Sequence, residues 1–184
     1  MRVIATNTGK PTIINWRGKE VTTGIFKYPT NEPIHLGKED VVNDAVIDRK
    51  HHGGIDKACY LFSADTYSYW KELYPDLDWN WGMFGENITI EGFDEKEINI
   101  GDILKIGSAT VQVTKPRQPC FKLGIRFNNQ KILKDFIQYA HPGTYIKVIT
   151  EGEISKNDEV TIVEKKPENL TVQDAFKAVY QEKV

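Results

Sequence analysis

Apolar and polar residues alternate in short runs along most of the chain. The runs Val3 to Thr6, Val21 to Lys27, Val46 to Asp48, Ala58 to Phe62, Ile88 to Ile90, Ile103 to Ile106, Thr110 to Thr114, Tyr145 to Thr150 and Val160 to Glu164 read as strands. Turn residues separate them, and Gly107-Ser108 is placed to make a hairpin turn between two of them. Many short strands argue for a barrel or sandwich instead of alternating βα units. A loose pattern recurs at Ile34 to Asp40, Ile98 to Asp102 and Ile154 to Asp158, and reads as repeated turn chemistry leading into the next strand.

Three stretches change period. After Ser63, a potential cap, Tyr67, Trp70 and Tyr74 share one helical face that ends at Pro75. Asn129 or its neighbour can cap a second helix carrying Ile132, Leu133, Phe136, Ile137 and Ala140, stopped by His141-Pro142-Gly143. Thr171-Val172-Gln173-Asp174 resembles a capping box and opens a terminal helix with Val172, Ala175, Phe176, Val179 and Tyr180. These aromatic and aliphatic stripes read as core.

With 184 residues, 40% of them hydrophobic, the chain is large enough for one compact domain with a substantial core. No apolar run reaches the roughly 18 residues of a spanning helix, so no membrane role is expected. The first residues are too short and too polar a run for a secretory signal, and two cysteines read as thiols, so a cytoplasmic location is expected. A formal net charge of −2 gives no global field to draw nucleic acid. Any basic patch must be local, as in Lys115, Arg117, Lys122 and Arg126.

That patch surrounds the most reactive residue type in the chain. Cys120 lies in Lys115-Pro116-Arg117-Gln118-Pro119-Cys120-Phe121-Lys122-Leu123, where two prolines stiffen the loop. Nearby cations favour a thiolate, the form that attacks electrophiles and binds metals. The alternative is that Cys120 is a small buried hydrophobe. Two further segments carry unusual composition: His51-His52-Gly53-Gly54-Ile55-Asp56-Lys57-Ala58-Cys59-Tyr60, and Phe84-Gly85-Glu86-Asn87. Taken singly, each could be no more than a turn. Cys59, in an apolar strand context, reads as structural.

In this order and spacing the segments resemble the MOSC domain family (molybdenum cofactor sulfurase C-terminal-like), in its YiiM-like free-standing bacterial branch. His52-Gly53-Gly54, Asp56-Lys57-Ala58, Tyr60, Phe84 to Asn87, Gly101-Asp102, Gln112-Val113, Pro116-Arg117, Pro119-Cys120, Lys122-Leu123 and Arg126-Phe127 carry the likeness. It weakens beyond Phe127, towards Glu164. The resemblance implies a mainly β fold: a MOSC-type β-barrel over residues 1–166 with a few short helices. A C-terminal helical tail, 167–184, follows and is shorter than in longer relatives.

The resemblance further implies a molybdenum cofactor of the molybdopterin type, with Cys120 as the metal ligand. A soft thiolate suits a metal that cycles between oxidation states. Cys120, Lys57, Arg117 and His52 are the implied catalytic residues. Gly53, Gly54, Asn87, Lys122 and Arg126 are implied cofactor contacts, and Glu86 is expected in the pocket wall. Lys147 stands where relatives often have arginine, which removes a bidentate fork. The chain has no room for a fused pyridoxal-phosphate domain, so no pyridoxal phosphate is expected.

The expected activity is reduction of N-hydroxylated compounds, such as N-hydroxylated purine bases, with electrons from a separate donor protein. No Gly-x-Gly-x-x-Gly fingerprint for a nucleotide appears. A sulfur carrier holding a persulfide on Cys120, loaded by a cysteine desulfurase, uses the same thiolate. A third reading is a binding module that takes a purine-like or pyrimidine-like molecule through the aromatic region from Tyr67 to Trp81.

Overall fold

The computed structural model describes residues 1–47 and 53–181, excepting the side chain of Gln181. Its strands are β1 (Arg2–Gly9), β2 (Thr12–Trp16), β3 (Lys19–Thr23), β4 (Lys27–Thr30), β5 (Ile34–Leu36), β6 (Cys59–Ser63), β7 (Ile88–Glu91), β8 (Ile103–Ile106), β9 (Ala109–Pro116), β10 (Thr144–Thr150), β11 (Gly152–Ile154) and β12 (Val160–Glu164). The α-helices are α1 (Tyr67–Leu73), α2 (Phe121–Arg126), α3 (Ile132–Tyr139) and α4 (Val172–Gln181).

Eight strands form one sheet in the order β12-β8-β9-β10-β6-β7-β1-β4. All its pairings are antiparallel except β6 with β7. Two small ribbons, β5 with β11 and β2 with β3, stand outside it. The fold is mainly β, as the alternation indicates, but the sheet does not close into a continuous barrel ladder among the described residues. The start of β1 reaches the segment before β12 through an Arg2–Glu159 bridge and the Val3 N–H to Asp158 O bond of 2.9 Å.

β6 is buried along its whole length because both faces are covered. Its period of two divides the interior. Cys59 and Leu61 enter an aliphatic core with Val3, Ile88, Leu104, Val111 and Ile146. Tyr60 and Phe62 enter an aromatic core with Tyr67 and Trp70 of α1, Phe136 of α3 and Phe176 of α4. The neighbouring strand repeats the division, with Tyr145 on the aromatic side and Ile146 on the aliphatic side. The helices thus seal one face of the central strands with rings.

Several local expectations change. The run Val21 to Lys27 is broken, since Gly24 to Phe26 lie between β3 and β4. Gly24 packs so closely on Ala45 that a Cβ would meet the Ala45 carbonyl oxygen at 1.9 Å, and this pins the chain out of strand geometry. Val46 and Ile47 are irregular, and Asp48 lies outside the described residues. Ile34 to Leu36, read as a turn, pairs with Gly152 to Ile154. The other two recurrences are turns of one kind: Asn99 N–H donates to Asp102 Oδ2 at 2.9 Å, and Ser155 N–H to Asp158 Oδ2 at 2.8 Å.

The helices start by different means. Ser63 does not cap α1; it ends β6, and its carbonyl accepts the Thr66 hydroxyl at 3.0 Å across an intervening 3-10 turn. Asn129 Oδ1 accepts Lys131 N–H at 2.9 Å ahead of α3, and Ala140 ends that helix at φ 55°. Thr171 and Asp174 form the expected reciprocal cap of α4. The short helix α2, directly after Cys120, had no sequence signal strong enough to separate it from the preceding loop.

Candidate active site

The motif segments meet at a cavity of about 640 Å³, including its open mouth, at the end of the central strands. β9 delivers Arg117, and Cys120 follows at the start of α2, which also carries Lys122. β6 contributes Tyr60 and β10 contributes Tyr145, which are paired directly across the two strands. Lys57 comes from the 3-10 turn Ile55–Lys57. Gly54 opens that turn at φ 88° and ψ 175°, a region essentially confined to glycine.

A register shift between Tyr145 and Ile146 in the β9–β10 pairing holds these pieces in place. The Thr114 hydroxyl lies 2.9 Å from Tyr145 O and 2.6 Å from Asp56 O, so β9, β10 and the Lys57 turn share one polar contact. The Lys57 ammonium stands 5.7 Å from the centroid of the Tyr145 ring.

Arg117 has the most telling environment. It is 3% exposed, with its guanidinium carbon 5.2 Å from the Tyr60 ring centroid and 5.7 Å from that of Phe136. The Tyr145 phenol hydrogen-bonds it, and Cys120 lies within Coulombic range of both. Nη1 of Arg117 has no hydrogen-bond partner among the described residues. Burial pushes the Tyr60 and Tyr145 phenols above their ordinary values despite the opposing pull of Arg117, so both stay neutral. Neither can neutralise the guanidinium.

The lining also contains a buried ion pair, Lys27 with Asp44. Asp44 also accepts Gly9 N–H at Oδ1 and Asn87 Nδ2 at Oδ2, both at 2.8 Å. Asn87 thus braces the wall as well as lining it; its N–H donates to Tyr60 O at 2.9 Å. Lys27, Lys57, Arg117 and Lys122 face the cavity with Asp44 as the sole carboxylate among the described lining residues. The site is cationic inside a chain of net charge −2.

Not every expected residue arrives there. Arg126 is outside the lining; it donates to Tyr28 Oη at 2.8 Å and stacks on Phe26 and Tyr28. Gly53 and Gly54 shape the Lys57 turn without lining the cavity. His52 lies outside the described residues. Glu86 sits behind the wall, fully buried, accepting Tyr67 Oη at 2.5 Å, Thr89 Oγ1 and Gly82 N–H at 2.9 Å, and Phe84 N–H at 3.1 Å. Tyr67 and Trp70 are sealed in the core, whereas Tyr69 and Leu73 of the same helix are 39% and 40% exposed. Cys59 is buried, and burial raises its thiol far above the ordinary range, in keeping with a structural role.

The MOSC domain family matches residues 48–161, the span that holds the Lys57 turn, Asn87, Arg117 and Cys120. The chain belongs to the MOSC domain family. Protein YflK of Bacillus subtilis is 33% identical over 180 residues, covering 98% of this chain and 81% of that protein. The crystal structure of YiiM from Geobacillus stearothermophilus superposes with a TM-score of 0.80 at 32% identity, covering 97% of this chain and 83% of that one. A reductase of Gibberella moniliformis is 32% identical over 151 residues, which are 80% of this chain but 27% of the fungal protein. The MOSC span includes every lining residue from Lys57 to Tyr145, whereas Lys27 and Asp44 precede it.

Proposed function

We propose that this MOSC protein is a molybdenum-cofactor-dependent reductase of N-hydroxylated compounds, such as N-hydroxylated purine bases, with the Cys120 thiolate as metal ligand. The observation that carries this reading is the buried Arg117 guanidinium, with Nη1 unpartnered, facing the same cavity as Cys120. A buried guanidinium with one donor left unmet is costly, and a bound anion would remove that cost. The cofactor is such an anion, and the donor set fits it. Cys120 offers a soft sulfur ligand, Arg117 a planar fork, and Lys57 and Lys122 point charges. The fungal relative's name, reductase, supports a reductive activity and no more.

When bound, the cofactor supplies two-electron redox chemistry at its metal. The residues of the chain do the rest. Arg117, fixed by its aromatic bed, binds anionic oxygen without needing to reorganise. The neutral Tyr145 hydroxyl can exchange its bond to Arg117 for one to a substrate oxygen. His52, by its place in the motif, serves as an orienting contact. Reduction of an N–OH group to N–H and water takes two electrons and two protons; a separate protein donates the electrons. The cytoplasm suits an accessible thiol at such a centre.

The test is molybdenum and pterin content of protein purified anaerobically from a cofactor-competent host. Wild type should approach one metal per chain. Cys120→Ala should lose the metal, and Arg117→Met should retain about tenfold less, as expected for loss of a charge-assisted hydrogen bond. Well-folded wild type without metal or pterin, yet carrying a labile sulfur on Cys120 after treatment with a desulfurase, would replace this reading with the sulfur carrier.

A further inference from the structure

The β2–β3 hairpin has no role in the site as described so far, yet it is tied to it at both ends. At its root, Thr23 and the next two residues, Gly24 and Ile25, line the cavity. Gly9, just before the hairpin, donates to Asp44, and Gly24 is wedged against Ala45. The root is therefore fixed. At its tip, the Trp16 ring stacks on Phe121, with centroids 5.2 Å apart and planes at 23°. Phe121 lies between two lining residues, Cys120 and Lys122. The hairpin thus runs from one wall of the cavity to the segment that carries the thiol.

Between root and tip little holds it. β2 and β3 pair only with each other. None of their residues before Thr23 is buried, and Ile13 is 66% exposed. The tip turn is Arg17-Gly18, with φ of 53° and 77°, closed by Gly18 N–H on Asn15 Oδ1 at 3.1 Å. Arg17 covers the Trp16 ring at 5.3 Å. A two-stranded ribbon without a core is marginal by itself, and elements with so few buried contacts open most readily. The far end of α2 differs, since Arg126 there is hydrogen-bonded to Tyr28 and stacked on two rings.

We propose that the β2–β3 hairpin is a gate on the Cys120 cavity, latched by Trp16 on Phe121, and that Trp16 determines the size of molecule that reaches the thiol. This assignment holds whichever chemistry Cys120 performs.

The test uses Cys120 as its own probe, since Cys59 is buried. Full-length protein is alkylated with iodoacetamide, a small reagent, and with fluorescein maleimide, a bulky one; intact mass follows the rates, with Cys120→Ser as blank. Trp16→Ala should speed the bulky reagent by roughly three- to tenfold, the worth of one aromatic pair. It should leave iodoacetamide within about twofold, since a small reagent needs little opening. Trp16→Phe, which keeps a ring on Phe121, should stay close to wild type with both. Equal acceleration of both reagents in Trp16→Ala, or no change in either, would overturn the gate. So would acceleration of the bulky reagent by Trp16→Phe equal to that by Trp16→Ala.

Discussion

Glu86 and Arg117 are both buried ionisable groups beside the aromatic core, and they are treated oppositely. Glu86 accepts four hydrogen bonds, from two side-chain hydroxyls and two backbone N–H groups. Arg117 rests on two rings, with Nη1 left unpartnered. A group that only supports the fold is satisfied from within, because an unmet buried donor costs about 1–3 kcal/mol or more. A group kept for a ligand can be left unmet, with the cost borne by the rest of the structure until the ligand arrives.

The contrast breaks if the two residues respond alike to mutation. Glu86→Leu should give the largest effect, a loss of about 3–5 kcal/mol in urea unfolding, because it orphans four donors at once. Lys27→Met should come next. It leaves Asp44 buried with two neutral donors and no cation, and should cost about 2–4 kcal/mol by the same measurement. Arg117→Met should change stability by no more than about 1 kcal/mol, or raise it, since an apolar side chain suits the ring bed better than a buried cation with an unmet donor. A loss for Arg117→Met as large as that for Glu86→Leu would erase the distinction.

A pH measurement sharpens it. Burial pushes the Glu86 carboxyl above its ordinary value, although the hydrogen bonds from Tyr67, Gly82 and Thr89 pull the other way. The folded chain therefore keeps this proton to higher pH than the unfolded chain. Its contribution is fully present below the unfolded carboxylate value and is lost as pH rises through the raised folded value. Glu86→Gln should flatten that part of the stability curve, read from urea midpoints between acid and neutral pH. The exposed Arg2–Glu91 pair supplies the smallest effect: Arg2→Ala should cost less than about 1 kcal/mol.

Much of the central sheet was legible because its signal is local. The runs behind β1, β7 to β10 and β12 are short apolar-polar runs and that behind β6 is continuously apolar, and the two-residue hairpin at Gly107-Ser108 lies between Ile106 and Ala109 as read. Short or interrupted elements were not. β5 has three residues, and the break at Gly24 depends on Ala45, twenty-one positions away. The hairpin turn at Arg17-Gly18 puts a non-glycine residue at positive φ, which composition does not announce. For the site, Lys57, Asn87, Arg117, Cys120 and Lys122 reach the cavity from the motif segments. Lys27 and Asp44 carry no such signal. A lysine after Phe26 and an aspartate in a polar loop look like ordinary surface charges until the fold buries them against each other.

The sequence by itself determined which residue types could do chemistry and which segments belong together, because motif spacing and side-chain period are properties of the chain. Only the tertiary structure decided how each charge is spent. Whether a guanidinium is neutralised, stacked or left with a free donor depends on groups brought from distant strands. That is why Arg117 and Arg126, close in sequence and alike in type, end in different places: one faces the cavity from a bed of Tyr60 and Phe136, the other is held outside the lining by Tyr28 and Phe26.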